Sequence, residues 1–125
     1  MNREVETGIE LGREGKWNIA AACFERAAKE NDPDGAFQLA ECYFYGEGKP
    51  LDYAKAAELY NRLTADGSPK AAIALYKLAL CYRLRKDGYA SEEFADGLVR
   101  AAADLSCPEA LAELGRQEET EDIGS

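Results

Sequence analysis

Apolar residues recur along the chain at intervals of three and four, and short stretches rich in Gly, Asn, Asp and Pro separate the periodic segments. An interval of three to four places apolar side chains on one face of an α-helix, and the breakers predict turns. The pattern therefore predicts helices at residues 2–14, 17–30, 33–45, 52–65, 69–84, 91–104 and 108–119. No segment shows the alternation typical of a β-strand.

Capping residues support several of these helix starts. Asp32 and Ser68 each precede a proline, which predicts a capping side chain followed by proline at the first helical position. Asp52 and Ser91 are further candidate caps.

The helices recur as pairs. Leu39 and Leu78 are 39 residues apart, and Leu78 and Leu114 are 36 apart. A period of this size is typical of stacked helix–turn–helix units. We expect an all-α, right-handed superhelical solenoid of about three such units, closed by a C-terminal capping helix. Residues 1–117 would form this single domain, and residues 118–125 an acidic flexible tail.

The amino-acid composition mainly excludes classes of partner and of chemistry. Asp and Glu number 24 against 15 Lys and Arg, a net charge of −9, which disfavours nucleic acid or an anionic membrane as partner. The sequence has no histidine, which removes His-based catalysis and most zinc chemistry. The four cysteines form no C-x-x-C pair and are interpreted as small buried packing residues. No cofactor and no metal are expected. Neither a signal peptide nor a membrane span is apparent, so we expect a cytoplasmic protein.

The repeated residues resemble a known family. Residues 35–67 carry Leu39, Tyr43, the Gly46–Gly48 pair and Asp52 in the order typical of the Sel-one-like repeat, a close relative of the tetratricopeptide repeat. Gly35 stands where that pattern has Ala, one small residue for another. Residues 74–106 form a degenerate copy, and residues 1–30 are similar to an ordinary tetratricopeptide unit, in which Trp17 would be a packing residue.

The resemblance implies a concave surface, lined by the first helix of each pair, that binds a peptide or a segment of a partner protein. Carrying the family's inner-face positions onto this sequence gives a candidate groove of aromatic, aliphatic and charged residues: Val5, Ile9, Arg13, Phe37, Glu41, Phe44, Tyr45, Tyr76, Leu80 and Arg83. Apolar anchors of the partner would contact the aromatic rings, and its acidic groups would lie near Arg13 and Arg83. The alternative is that some of these rings only pack between repeats.

The first functional hypothesis is thus an adaptor or scaffold that binds protein or peptide, not nucleic acid or membrane, as a monomer or weak homodimer. A second hypothesis is a self-assembling structural repeat protein, because a short solenoid has exposed ends. An enzyme is disfavoured, since no nucleophile, metal set or acid pair converges in the sequence.

Overall fold

The computed structural model describes residues 1–65, 67–85 and 90–124, with the backbone alone described for 117–124. In these ranges the chain forms seven α-helices and no strand. The helices are α1 (Arg3–Arg13), α2 (Trp17–Lys29), α3 (Pro33–Tyr45), α4 (Tyr53–Ala65), α5 (Ala71–Leu84), α6 (Glu92–Asp104) and α7 (Pro108–Gly124). The sequence also predicts a turn at Asp87-Gly88, between the helices predicted at 69–84 and 91–104, and these two residues lie outside the described ranges.

Consecutive helices pack side by side from α1 to α7, and α1 also contacts α3, as α5 contacts α7. This order confirms the predicted class, an all-helical repeat solenoid. The core between the helices is unusually rich in alanine, because small side chains let neighbouring helices approach closely. All four cysteines are free and buried in it, as predicted.

Local signals explain most of the helix starts. The Asp32 side chain accepts a hydrogen bond from the Gly35 N–H at 2.9 Å, and Ser91 accepts one from the Phe94 N–H at 3.2 Å. Asp52 likewise accepts from the Lys55 N–H at 3.0 Å. These side chains satisfy N–H groups that have no partner within the helix, which confirms the predicted caps.

The predicted start of α5 is wrong. The helix begins at Ala71 rather than at residue 69, and Ser68 does not cap it. Instead the Ala71 N–H donates to the Ser68 carbonyl at 2.8 Å, and the Lys70 N–H donates to the Ser68 hydroxyl at 3.0 Å. These bonds close a turn that delays the helix by two residues.

At the C-terminus α7 extends to Gly124, beyond the predicted end at residue 119. The side chains of the predicted acidic tail lie outside the described residues. None of the described helices is long and apolar enough to cross a membrane.

Candidate functional site

A pocket of about 210 Å³ opens at the C-terminal end of α3, next to the start of α2. We call it the acidic pocket, because its polar lining includes two carboxylates. It is lined by Trp17, Gln38, Glu41, Cys42, Tyr45 and Glu47. The Tyr45 side chain is 50% exposed and therefore offers ring surface to a ligand.

A second pocket, of about 240 Å³, lies beside the first. We call it the apolar pocket, because carbon surface dominates it. It is lined by Ile9, Gly12, Arg13, Trp17, Phe24 and Gln38. Because Trp17 and Gln38 line both pockets, the two adjoin. We call the pair the α1–α3 trough, which contains residues of three helices and the loop after α3.

Two glycines shape this trough. A Cβ at Gly12 would lie 2.8 Å from the Trp17 ring, so its absence gives the indole room against α1. Gly48 has a φ of +79°, and a Cβ there would collide with the Trp17 carbonyl. The loop after α3 can therefore pack against the start of α2, which brings Glu47 to the pocket.

Beside the acidic pocket the chain holds one of its own cations against aromatic rings. The Lys77 ammonium lies 5.0 Å from the Phe44 ring centre and 5.1 Å from the Tyr45 ring centre. It donates a hydrogen bond to the Tyr45 hydroxyl at 2.8 Å and lies 3.7 Å from the Glu41 carboxylate. Burial disfavours this charge, but the Tyr45 and Glu41 oxygens outweigh burial, and the pKa of Lys77 is raised.

Glu41 has a second partner at the same carboxylate oxygen that faces Lys77. It accepts the Tyr60 hydroxyl at 2.6 Å, and Tyr60 is fully buried. Burial, followed by the negative charge of Glu41, raises the pKa of Tyr60 far above its usual range. The Glu41 carboxylate is therefore both part of the pocket wall and a fixed structural acceptor.

The charges of the two pocket carboxylates also act on the buried Cys42 thiol. Burial first, and then the charges of Glu47 and Glu41, raise the pKa of the Cys42 thiol to about 11, against an opposing effect of Lys49. Lys49 itself pairs with Glu25 at 3.2 Å. Two carboxylates thus act together on the same small volume.

Four of the predicted groove residues meet in the trough. Ile9 and Arg13 line the apolar pocket, and Glu41 and Tyr45 line the acidic one. The offsets carried over from the repeat pattern therefore include four residues that line one or other of these two adjoining pockets.

Two other predicted groove residues lie in the core instead. Val5 is 0% exposed and Phe44 is 8% exposed. Phe44 packs edge-to-face against Tyr45 and Tyr53, with ring centres 4.9 and 5.5 Å apart. Neither side chain offers a surface that a partner could contact, so the alternative of packing between helices describes Phe44.

The remaining predicted residues lie away from the trough. Phe37 packs on Tyr60 with Lys70 over its ring, while Leu80 and Tyr76 are partly buried in the neighbouring cores. The Tyr76 hydroxyl faces Glu113 of α7 at 3.4 Å.

Arg83 is committed to carboxylates of its own chain. Its guanidinium pairs with Glu92 at 3.0 Å, Asp96 at 2.8 Å and Glu113 at 3.0 Å. Hydrogen bonds to Glu113, followed by those to Asp96, raise its pKa, although burial opposes the charge. These ion pairs link α5, α6 and α7, so the Arg83 charge is already paired within the chain.

The groove prediction missed Gln38 and Lys77, and it assigned Trp17 to packing alone. Gln38 lies one residue from a predicted position, and its polar side chain carried no periodic signal. Trp17 packs against the core and also lines both pockets. Its place immediately after a turn and beside the first helix could have marked it as accessible.

Among the described residues, no group of three or more Cys, Asp or Glu side chains could hold a metal ion. The trough instead provides apolar contact, amide hydrogen bonding and charged groups.

These features define a class of protein, the tandem helical repeats that expose a trough between the first helices of successive pairs. The tetratricopeptide repeat family profile matches residues 5–47 and 51–106, and the chain belongs to this family. It is also 45% identical over 38 residues to an uncharacterized Sel1-like repeat-containing protein of Schizosaccharomyces pombe. That match covers 30% of this chain and only 6% of the yeast protein. Repeats of this kind generally mediate protein interactions and are typically not catalytic.

Proposed function

We propose that this chain is a protein-interaction module that binds an extended segment of a partner protein in the α1–α3 trough. One observation carries the proposal: two pockets adjoin along α1 and α3 and share Trp17 and Gln38. Each pocket is smaller than the roughly 300–1,000 Å³ typical of a small-molecule site. A row of small pockets instead suits successive side chains of a peptide.

The lining offers the contacts that such a segment needs. Partly buried Ile9 provides apolar surface, and Trp17 provides the rigid aromatic area that is common at binding hot spots. The Gln38 amide has two donor hydrogens and an acceptor oxygen at the junction, so it can pair with a peptide backbone. Exposed Arg13 can attract an acidic group at the far end.

The chain carries a built-in reporter for this binding. Trp17 is its single tryptophan and lies where the pockets meet. A peptide that enters either pocket changes the polarity around the indole, so Trp17 emission should shift on binding.

The test is selection of random dodecapeptides displayed on phage against the purified chain, followed by Trp17 fluorescence titration with the enriched synthetic peptides. Gln38→Phe fills the junction with a larger side chain, and Asn61→Phe, at an exposed amide on α4, is the matched control. We expect peptides that bind the wild type and the Asn61→Phe variant but not the Gln38→Phe variant.

If no enriched peptide distinguishes the two variants while circular dichroism shows both folded, the trough is not the binding surface. Sedimentation separates the assembly hypothesis. A dimer whose formation alone shifts Trp17 emission would make the trough a contact between copies of the chain and would overturn the proposal.

A further inference from the structure

The acidic pocket indicates which kind of segment the trough selects. We infer that it takes a basic side chain, Lys or Arg, while the adjoining apolar pocket takes an apolar side chain from the same segment. The inference rests on the proposed function and adds the partner's chemistry to it.

The pocket walls combine the two groups that attract organic cations. Glu41 and Glu47 supply negative charge, and Trp17 and Tyr45 supply aromatic rings. A Lys or Arg head gains from carboxylate hydrogen bonds and from the electron-rich ring faces together. The net charge of −9 also steers basic segments toward the chain.

Lys77 shows that this wall stabilises a bound ammonium. It contacts the same Tyr45 ring and the same Glu41 carboxylate that line the pocket, and only 16% of its side chain is exposed. The chain therefore already holds one cation with half of the groups that we assign to the partner's cation.

Glu47 is the pocket carboxylate that Lys77 does not contact. In the ranges that the structure describes, no cation pairs with the Glu47 carboxylate, whereas Glu41 is shared between Lys77 and Tyr60. Cys42 lines the same pocket as Glu47, and burial, followed by the Glu47 charge, raises the pKa of its thiol. Glu47 is thus the residue whose charge a partner can neutralise.

The position of Glu47 also makes it the better residue to mutate. It lies in the loop after α3, so its substitution leaves the helices intact, whereas Glu41→Gln would disturb the buried Tyr60. Glu30, exposed at the end of α2, is the matched control because the same substitutions there change the net charge equally.

The experiment repeats the phage selection of random dodecapeptides on the wild type, Glu47→Lys and Glu30→Lys. On the wild type we expect enrichment of Lys or Arg close to an apolar residue. On Glu47→Lys the basic preference should disappear and Asp or Glu should take its place, while Glu30→Lys should select as the wild type does.

A synthetic peptide from the wild-type selection then gives the size of the effect. Glu47→Gln should weaken its binding by about two- to fivefold in a Trp17 titration, the range of one solvent-accessible ion pair. Replacing its basic residue by Gln should weaken wild-type binding similarly and leave binding to Glu47→Gln nearly unchanged.

Four outcomes would contradict the inference. Trough-dependent peptides that show no basic preference would overturn the inference and leave the proposed function standing. The same holds for a basic preference that Glu47→Lys does not alter. An equal change in Glu30→Lys would show that the net charge, not the pocket, selects basic peptides. Failure to recover any peptide that Gln38→Phe excludes would overturn the proposed function as well.

Discussion

Gly35 lies at a close contact between α2 and α3, and its replacement by Ala should destabilise the fold. A Cβ at this position would lie 2.5 Å from the Ala27 Cβ, 2.9 Å from the Ala28 amide nitrogen and 3.0 Å from the Ala27 carbonyl carbon. Carbon atoms in contact normally lie about 3.5–4.0 Å apart. The helices would therefore have to separate by about 1 Å at their contact.

The net effect follows from two opposing terms. Overpacking of this kind costs about 1–3 kcal/mol, and the upper end applies because two of the three obstructing atoms belong to the backbone. Alanine recovers at most about 1 kcal/mol of helix propensity. We expect Gly35→Ala to lower the free energy of unfolding by about 2 kcal/mol.

Gly97 provides the matched control for this prediction. It is exposed within α6, and a Cβ there would meet no atom within 4 Å. Without the steric term, Gly97→Ala should raise the free energy of unfolding by about 0.5–1 kcal/mol. Urea unfolding followed by far-UV circular dichroism measures both variants. A Gly35→Ala protein as stable as the wild type would refute the close approach of α2 and α3.

Three further predictions concern a helix cap, an aromatic pair and two thiols. Asp32→Ala should lower the free energy of unfolding by about 1 kcal/mol, and Asp32→Asn by much less, in the same urea assay. Phe44→Ala should lower the free energy of unfolding by about 3–5 kcal/mol, because the ring is buried. Tyr45 is half-exposed, so Tyr45→Ala should weaken peptide binding more than it lowers stability. Equal losses of stability in the two variants would count against this assignment. Stability should fall as the pH rises from about 9 toward 12, because the unfolded chain ionises thiols near 9.0 while folding raises the pKa of Cys42 to about 11 and that of Cys81 to about 12. A Cys42→Ala/Cys81→Ala variant should lose less stability over that range, and an unchanged loss would assign it to other groups.

Helix periodicity and capping were readable from the sequence because both depend on local spacing. The Asp32 cap and the apolar stripes act within one helix, and they place the helix starts close to where the structure has them. Ser68 shows the limit of such reasoning. A Ser-Pro pair suits a helix start, but the same hydroxyl also suits a turn, and here the turn hydrogen bonds prevail.

The trough was only partly predictable, because the face of a helix does not fix what covers it. Glu41 and Leu80 each lie two residues after a repeated leucine, Leu39 or Leu78, yet Glu41 lines a pocket and Leu80 is partly buried in a neighbouring core. Glu47 could not have been placed from the pattern either. Its approach to the pocket depends on how the loop after α3 packs against α2, which is a long-range contact.

The same limit applies to substitutions within the repeat pattern. The pattern admits Ala where this chain has Gly35, so the resemblance alone treats the two as interchangeable. The close contact with Ala27 and Ala28 makes them different in this chain. Interhelical distance, which the sequence does not state, decides which small residue a position tolerates.

Arg83 determines how the C-terminal end of the solenoid comes apart. Its guanidinium bonds Asp96 of α6 and Glu113 of α7 at once, and only 20% of its side chain is exposed. If α7 detached alone, this largely buried charge would lose Glu113, the least exposed of its three acceptors. The three helices should therefore open together as one cooperative unit.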